Sequence, residues 1–309
     1  MRNRALKTVE EIISTHENSC FIGSDLGFGT LGGLREKYPN RVLMEGIAEQ
    51  HIVGFAAGLS ASGYFPIVHT IATFLTRRSF EQIAIDFSLQ HLPGMFLGAG
   101  GGMVYAPLGP THQAIDDFAL MSSIPNLNVY APADPIEIQE LMTKSVKNLE
   151  LAYFRVGRGG EPDITTEFHS TQNGNLKYVK SGNDFVLITT GTLLHEALNA
   201  YKSLSSMGIN GTVIHLPKLN LVAALDLVNL ISDSKLVLVI EEHIPIGGLY
   251  SHCIQSGLGA LVDSKFIHLS LPLSYASNYG SQAAHRAKNQ IDSEGIVNRI
   301  NVELRNRGN

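Results

Sequence analysis

Cysteine is scarce. Cys20 and Cys253 are the only two, and their separation matches no metal-ligand spacing. A disulfide framework is excluded, and a reducing compartment fits. Basic runs are missing too. The formal net charge is -5, with no Lys/Arg cluster to track a nucleic-acid backbone or an anionic membrane, so neither is an expected partner. The longest stretch without Asp, Glu, Lys or Arg that merits testing as a membrane span is Gln90 to Ile115. It contains Gly98, Gly100, Gly101, Gly102, Gly109 and three prolines, a composition that breaks a helix. The first ten residues carry charges and no apolar run, so no secretory leader is expected and cytoplasm is the expected location. Neither a short-period repeat nor a low-complexity tract occurs.

At 309 residues with 44% hydrophobic and 17% charged side chains, the chain can bury two cores of ordinary size. Strand-length apolar runs alternate with amphipathic helical runs, the pattern of an α/β protein with largely parallel sheets flanked by helices. The first unit reads as strands at 20–22, 41–44, 65–70, 95–98 and 151–156. Helices are expected at 47–61, stopped by Gly63, and at 74–89, where Phe80, Ile83, Ala84 and Phe87 share a face and Arg77 can pair with Glu81. Asp134-Pro135-Ile136-Glu137 supplies an N-cap, a proline at the first helical position and a reciprocal acid. Residues 157–175 are polar and aperiodic, which predicts an interdomain connection. The second unit has strands at 185–189, 212–216, 236–240 and 266–271, and helices near 193–206, 221–231 and 249–257. The expected domains are 1–165 and 181–309, joined through 166–180.

Several side chains bear chemistry, and each also has a plain structural reading. Glu49, in Gly46-Ile47-Ala48-Glu49-Gln50-His51, opens a small-residue helix, where the macrodipole favours any acid. Phe74, Arg77 and Phe80 lie in Thr73-Phe74-Leu75-Thr76-Arg77-Arg78-Ser79-Phe80-Glu81-Gln82, which also reads as two core aromatics beside a surface arginine. His112 ends Gly109-Pro110-Thr111-His112 after a glycine-rich loop. Asp25 and Leu26 follow a buried strand, where an acid also forms turns. Arg158 follows the strand at 151–156. Thr190-Gly191-Thr192 is a weak nucleotide signal, and Glu241-Glu242-His243 favours a capping or interface role.

Together these strings resemble the transketolase family of thiamine diphosphate enzymes. "G-I-A-E-Q/H", "T-F-L-x-R-x-x-Y/F-x-Q", "G-P-T-H" and "G-S-A-D-L" all have counterparts here. The resemblance implies a pyrimidine-binding domain followed by a transketolase C-terminal-like domain. In it Glu49 bonds the ring nitrogen of the aminopyrimidine and favours the imino tautomer, which deprotonates the neighbouring thiazolium carbon. A raised pKa in an apolar pocket would suit that task. Phe74 stacks on the ring, with Arg77, Phe80, Asp25 and Leu26 beside the cofactor. His112 moves a proton or stabilises an oxyanion at the substrate. Arg158 grips a sugar phosphate, with Arg4 a fainter second arginine and His69 a lining residue.

The family's diphosphate and metal site uses a Gly-Asp-Gly string with a later asparagine, and this sequence has no Gly-Asp-Gly. The resemblance therefore implies that a partner polypeptide holds the diphosphate and Mg²⁺ (or Ca²⁺), in an α2β2 heterotetramer. No metal ligands are expected in this chain. Leu108 stands where sugar-phosphate transketolases usually have an aspartate, and the 100–102 loop lacks their histidine or arginine. Two-subunit transketolases share that leucine. The implied activity is transfer of a two-carbon ketol unit from a ketose, expected to be phosphorylated, to an aldehyde. Related alternatives are a deoxyxylulose-phosphate synthase-like enzyme, a 2-oxo acid dehydrogenase beta subunit, or an enzyme acting on an unusual sugar acceptor. A non-catalytic scaffold subunit is disfavoured by intact Glu49, Phe74 and His112.

Overall fold

A computed structural model describes residues 1–24, 31–171, 176–220 and 224–306. Two six-stranded sheets carry the chain. The first comprises β1 (Ser19–Gly23), β2 (Val42–Met44), β3 (Phe65–Ile71), β4 (Gly94–Ala99), β5 (Asn128–Tyr130) and β6 (Leu151–Val156). Its order is β2-β1-β3-β4-β6-β5, parallel throughout. The second comprises β7 (His169–Ser170), β8 (Lys177–Lys180), β9 (Val186–Thr189), β10 (Thr212–His215), β11 (Leu236–Ile240) and β12 (Lys265–Leu269). Its order is β12-β11-β9-β10-β8-β7, parallel except where β8 pairs antiparallel with β10 and with β7.

Central parallel strands are covered on both faces, so they read as unbroken apolar runs. β4 and β11 are buried at every residue. One face of the first sheet packs Ile22 and Phe96 with Phe87, of the segment Gln82–Ser88, and with Ile52 and Val53 of the helix Glu49–Ala61. The opposite face packs Phe21, Ile67 and Leu97 against Leu6, Val9 and Ile13 of the helix Arg2–Thr15. The second sheet is sandwiched in the same way. Leu194, Leu204, Ile296 and Ile300 lie on one face, and Leu227, Ile231 and Cys253 on the other.

Two stretches differ from the sequence reading. The helix expected over 74–89 is a helix over Ala72–Arg78 followed by a π-helical segment over Gln82–Ser88. Thr76 and Ser79 direct their hydroxyls back to the carbonyls of Ala72 and Leu75, at 2.9 and 2.7 Å, competition that bends helices. Within 166–180, read as connection, β7 and β8 extend the second sheet, while 172–175 lie outside the described residues. These strands sit at a sheet edge and are short and half-exposed, so they lack the apolar run that marks a central strand.

The domains meet along a hydrogen-bonded seam. Ala131 N–H donates to Pro217 O at 2.8 Å, and Leu219 N–H donates to Val129 O at 3.0 Å. Asp134 caps its helix as read, its Oδ1 accepting from Glu137 N–H at 2.8 Å. The Glu137 carboxylate accepts instead from Ala133 N–H at 2.8 Å, and faces His215 Nε2 at 2.7 Å and Lys177 Nζ at 3.2 Å across the seam. Burial opposes its charge, but His215, Lys177 and the Ala133 amide together hold it below the usual carboxylate range.

Candidate active site

Ligands of parallel α/β sheets gather beyond the carboxyl ends of the strands, and the chemistry-bearing side chains lie there. After β2 the backbone turns at Gly46, whose φ of +74° suits a residue without Cβ. The helix Glu49–Ala61 then begins with Glu49. That side chain is 2% exposed. Thr70 Oγ1, at the end of β3, donates to its Oε1 at 3.3 Å, and Arg78 Nη1 donates to its Oε2 at 2.8 Å. The carboxylate is therefore buried but ion-paired, not set in an apolar pocket. Arg78 was not singled out by the motif. Its signal is the spacing of four from Phe74, which puts both on one helix face, and its guanidinium carbon sits 4.1 Å from the Phe74 ring centroid.

His112 reaches the same place from another loop. Gly109 has φ of +83°, and Pro110–His112 form a single 3-10 turn. The imidazole packs edge-on to Phe74, with ring centroids 5.1 Å apart and an interplanar angle of 67°. Its Nδ1 lies 2.9 Å from Thr111 Oγ1. Arg77 does not pair with Glu81. It forms a two-pronged bond with Asp116, at 3.0 and 2.9 Å, which ties the Ala72–Arg78 helix to the loop bearing His112. The regular helix ends at Arg78, so Glu81 does not follow Arg77 along a continuous helix face, while Asp116 offers both oxygens to the planar fork. Arg77 and Asp116 also line a cavity of about 320 Å³ at the domain boundary, bordered by Ile244, Leu273 and Tyr275.

Other candidates lie apart from this cluster. Adjacent strand residues face opposite sides of a sheet. Thr70 faces Glu49, so His69 turns to the other layer, 1% exposed and 6.3 Å from the Phe21 ring. Phe80 packs into the core under the helix Glu49–Ala61. Arg158 is exposed just after β6. Arg4, in the helix Arg2–Thr15, donates to Gln139 Oε1 at 3.2 Å. The start of that helix reaches the end of β6, where Met1 Sδ accepts from Gly157 N–H at 3.3 Å and the terminal ammonium meets Glu161 at 2.8 Å. The two arginines thus belong to one end of the sheet. Asp25 and Leu26 lie outside the described residues.

The glycine loop is filled by the protein itself. A Cβ on Gly100 would overlap Tyr105, one on Gly101 would overlap Arg155, and one on Gly102 would overlap Glu242. Arg155 is clamped by Asp117 and stacks on Phe118 at 3.7 Å. Its Nη1 donates to Glu242 O at 3.1 Å. The Glu242 carboxylate accepts from Met103 N–H at 2.6 Å and Gln282 Nε2 at 2.9 Å, and is paired with Arg286. His243 stacks on Phe118, and burial holds its pKa below the usual imidazole value. Glu241 accepts from the amides of Leu249 and Tyr250, the capping role expected. Of the three side chains against the loop glycines, only Glu242, against Gly102, comes from the second domain. Among the described residues no group of three His, Cys, Asp or Glu could hold a metal ion, and no helix is long and apolar enough to cross a membrane.

Residues 1–160 match the family model of the transketolase pyrimidine binding domain, and residues 174–272 match that of the transketolase C-terminal domain. A 1-deoxy-D-xylulose-5-phosphate synthase from Dehalococcoides mccartyi (strain CBDB1) is 32% identical over 300 residues, covering 95% of this chain and 46% of that protein. The chain thus spans about half the length of such relatives. One subunit of the apulose-4-phosphate transketolase of Actinobacillus succinogenes is 27% identical over 271 residues, 85% of this chain and 84% of that one. A solved split gene transketolase, described as an inactive beta4 tetramer, superimposes with a TM-score of 0.83 at 26% identity, covering 98% and 97% of the two chains. The chain belongs to the transketolase family of thiamine diphosphate-dependent enzymes, of which it carries the pyrimidine-binding and C-terminal domains.

Proposed function

We infer that this chain is the pyrimidine-binding subunit of a two-subunit transketolase-like transferase. It would move a two-carbon ketol unit from a phosphorylated ketose to an aldehyde. The observation that carries this reading is the convergence of Glu49, Phe74 and His112 from three separate segments on one site. Those residues fit the cofactor's pyrimidine end. A buried carboxylate and an aromatic face already accept a flat, N–H-bearing cation there. Thiamine diphosphate, when bound, supplies the carbanion chemistry of ketol transfer.

Glu49 would hold a proton at the pyrimidine ring nitrogen, with Thr70 fixing its second oxygen. Phe74 would orient the ring. His112 would exchange a proton with the substrate hydroxyl or carbonyl beside it. Arg77 serves by holding the His112 loop through Asp116. Arg158, exposed just after β6, and Arg4 would take the sugar phosphate, and leucine at 108 in place of an aspartate would admit an unusual acceptor. By the family resemblance Asp25 and Leu26 would contact the cofactor, whereas His69 and Phe80 serve the core. The diphosphate and Mg²⁺ would be held by a partner subunit, in an α2β2 assembly. The absence of Gly-Asp-Gly from the sequence and the likeness to one subunit of an apulose-4-phosphate transketolase support that arrangement. The first domain would end near 165, and the second would include β7 and β8 of its sheet.

Glu49→Gln tests it. In the assembled enzyme this change should lower turnover about 10²- to 10⁴-fold, the range for a lost proton-transfer group, with the unfolding midpoint little changed. Near-normal activity refutes the assignment. A second reading, pyruvate as donor, is supported by the identity to deoxyxylulose-phosphate synthase. Assaying pyruvate against a ketose phosphate separates the two.

A further inference from the structure

Arg78 makes two contacts, and both coincide with those assigned above to the cofactor's aminopyrimidine ring. Its flat guanidinium lies over the Phe74 ring at 4.1 Å. It directs an N–H to Glu49 Oε2 at 2.8 Å. Two flat groups cannot share one ring face and one carboxylate oxygen. We propose that Arg78 competes with the aminopyrimidine for the Phe74 face and the Glu49 oxygen and is displaced when the cofactor enters, so that Arg78 sets cofactor affinity. This rests on the reading of Glu49 and Phe74 as the pyrimidine site.

The surroundings favour displacement of the arginine and not of the acid. The Glu49 side chain is 2% exposed, and that of Arg78 is 47% exposed. Glu49 begins a helix packed into the core, whereas the long Arg78 stem can swing to water. Thr70 bonds the other carboxylate oxygen, Oε1, and need not move. Arg77, the preceding residue, is fixed to Asp116 by two bonds, so the swing of Arg78 leaves the His112 loop in place. The arrangement also answers an electrostatic need. A buried carboxylate without a counter-charge is costly, and Arg78 supplies one until a ring N–H replaces it.

A binding step that must first eject a side chain is weakened by the fraction of protein in the open form. The Arg78 side of both contacts is solvated, its side chain being 47% exposed, and an ion pair and a cation–π contact made by a solvated arginine are each modest. Together they leave roughly one subunit in ten open, so their removal should tighten binding about tenfold.

The test is calorimetric titration of thiamine diphosphate, with Mg²⁺, into the full chain assembled with the subunit that completes its site. Arg78→Met should bind about tenfold tighter than the parent and associate faster. Unchanged or weaker binding overturns the proposal. Glu49→Gln is then measured in both backgrounds. In the parent it removes a cofactor bond but also frees Arg78, so its loss of affinity should be smaller than in Arg78→Met. If Glu49→Gln costs nothing in the Arg78→Met background, Glu49 does not bind the ring and the functional reading falls as well. If it does cost affinity there, yet Arg78→Met alone brings no tightening, only the displacement of Arg78 is refuted.

Discussion

Gly102→Ala should destabilise the fold far more than an ordinary glycine replacement, because two separate effects add at that residue. The backbone there has φ of +66°. A Cβ in the left-handed region costs about 1–2 kcal/mol. The new methyl would also overlap Glu242 Oε1 and lie 3.0 Å from its Cδ. The carboxylate cannot move without surrendering the Met103 N–H bond of 2.6 Å or its pairing with Arg286. Losing one hydrogen bond to a charged group adds about 1.5–3 kcal/mol. The expected total is about 2.5–5 kcal/mol.

Gly63→Ala isolates the backbone contribution. Gly63 has φ of +92°, and nothing lies within 4 Å of the place its new methyl would take, so only the first effect applies and the cost should be about 1–2 kcal/mol. The chain has no tryptophan, so urea unfolding is followed by circular dichroism. Equal losses for the two variants would show that Glu242 is not locked against the loop. A functional effect should accompany the structural one. Gly102 exchanges hydrogen bonds with Ala114 at 2.9 and 3.1 Å, only two residues beyond His112. Turnover should therefore fall in Gly102→Ala under conditions where the protein remains folded.

Two further measurements follow from burial. The thiols of Cys20 and Cys253 are pushed up to about 12, chiefly by burial, so an alkylating reagent at neutral pH should modify neither until urea unfolds the chain, and stoichiometric labelling of the folded protein would contradict that placement. Burial also holds His243 neutral, its pKa below the ordinary imidazole value. The unfolded chain takes up a proton at about pH 6.5 that the folded chain refuses, so stability should decline as pH drops below that point. His195 and His252 are lowered in the same direction by burial, so His243→Phe should make the decline shallower without abolishing it; an unchanged slope refutes the assignment to His243.

The strand pattern was legible because buried parallel strands announce themselves as uninterrupted apolar runs. β3, β4, β6 and β11 fall within a residue of their expected limits at both ends. The cap at Asp134 was legible too, since capping is a short-range matter of residue type and spacing. The helix over 224–231 lies where one was expected near 221–231, with 221–223 outside the described residues. Edge strands β7 and β8 carried no such run. The break after Arg78 depends on hydroxyls turning back on the helix, which composition alone does not decide.

Partnerships across the chain were the least legible. Arg77 meets Asp116, 39 residues on, instead of Glu81, and Arg286 meets Glu242 from 44 residues away. Nothing local to any of these side chains names its partner, because the fold brings together helices and loops that are distant in sequence. Arg78 shows the consequence most clearly. As a sequence letter it is a second basic residue beside a motif arginine. In the fold the two divide their work: Arg77 turns to Asp116 and holds a loop, while Arg78 turns to Glu49 and covers an acid. Each assignment excludes the other, since Asp116 already satisfies the Arg77 fork with both oxygens. Of this arginine pair, the one left to reach the Glu49 carboxylate is therefore the residue whose spacing from Phe74 also lays it on the ring. A motif read by residue type records the acid and the aromatic, and it is their geometry that makes room for a flat cation between them.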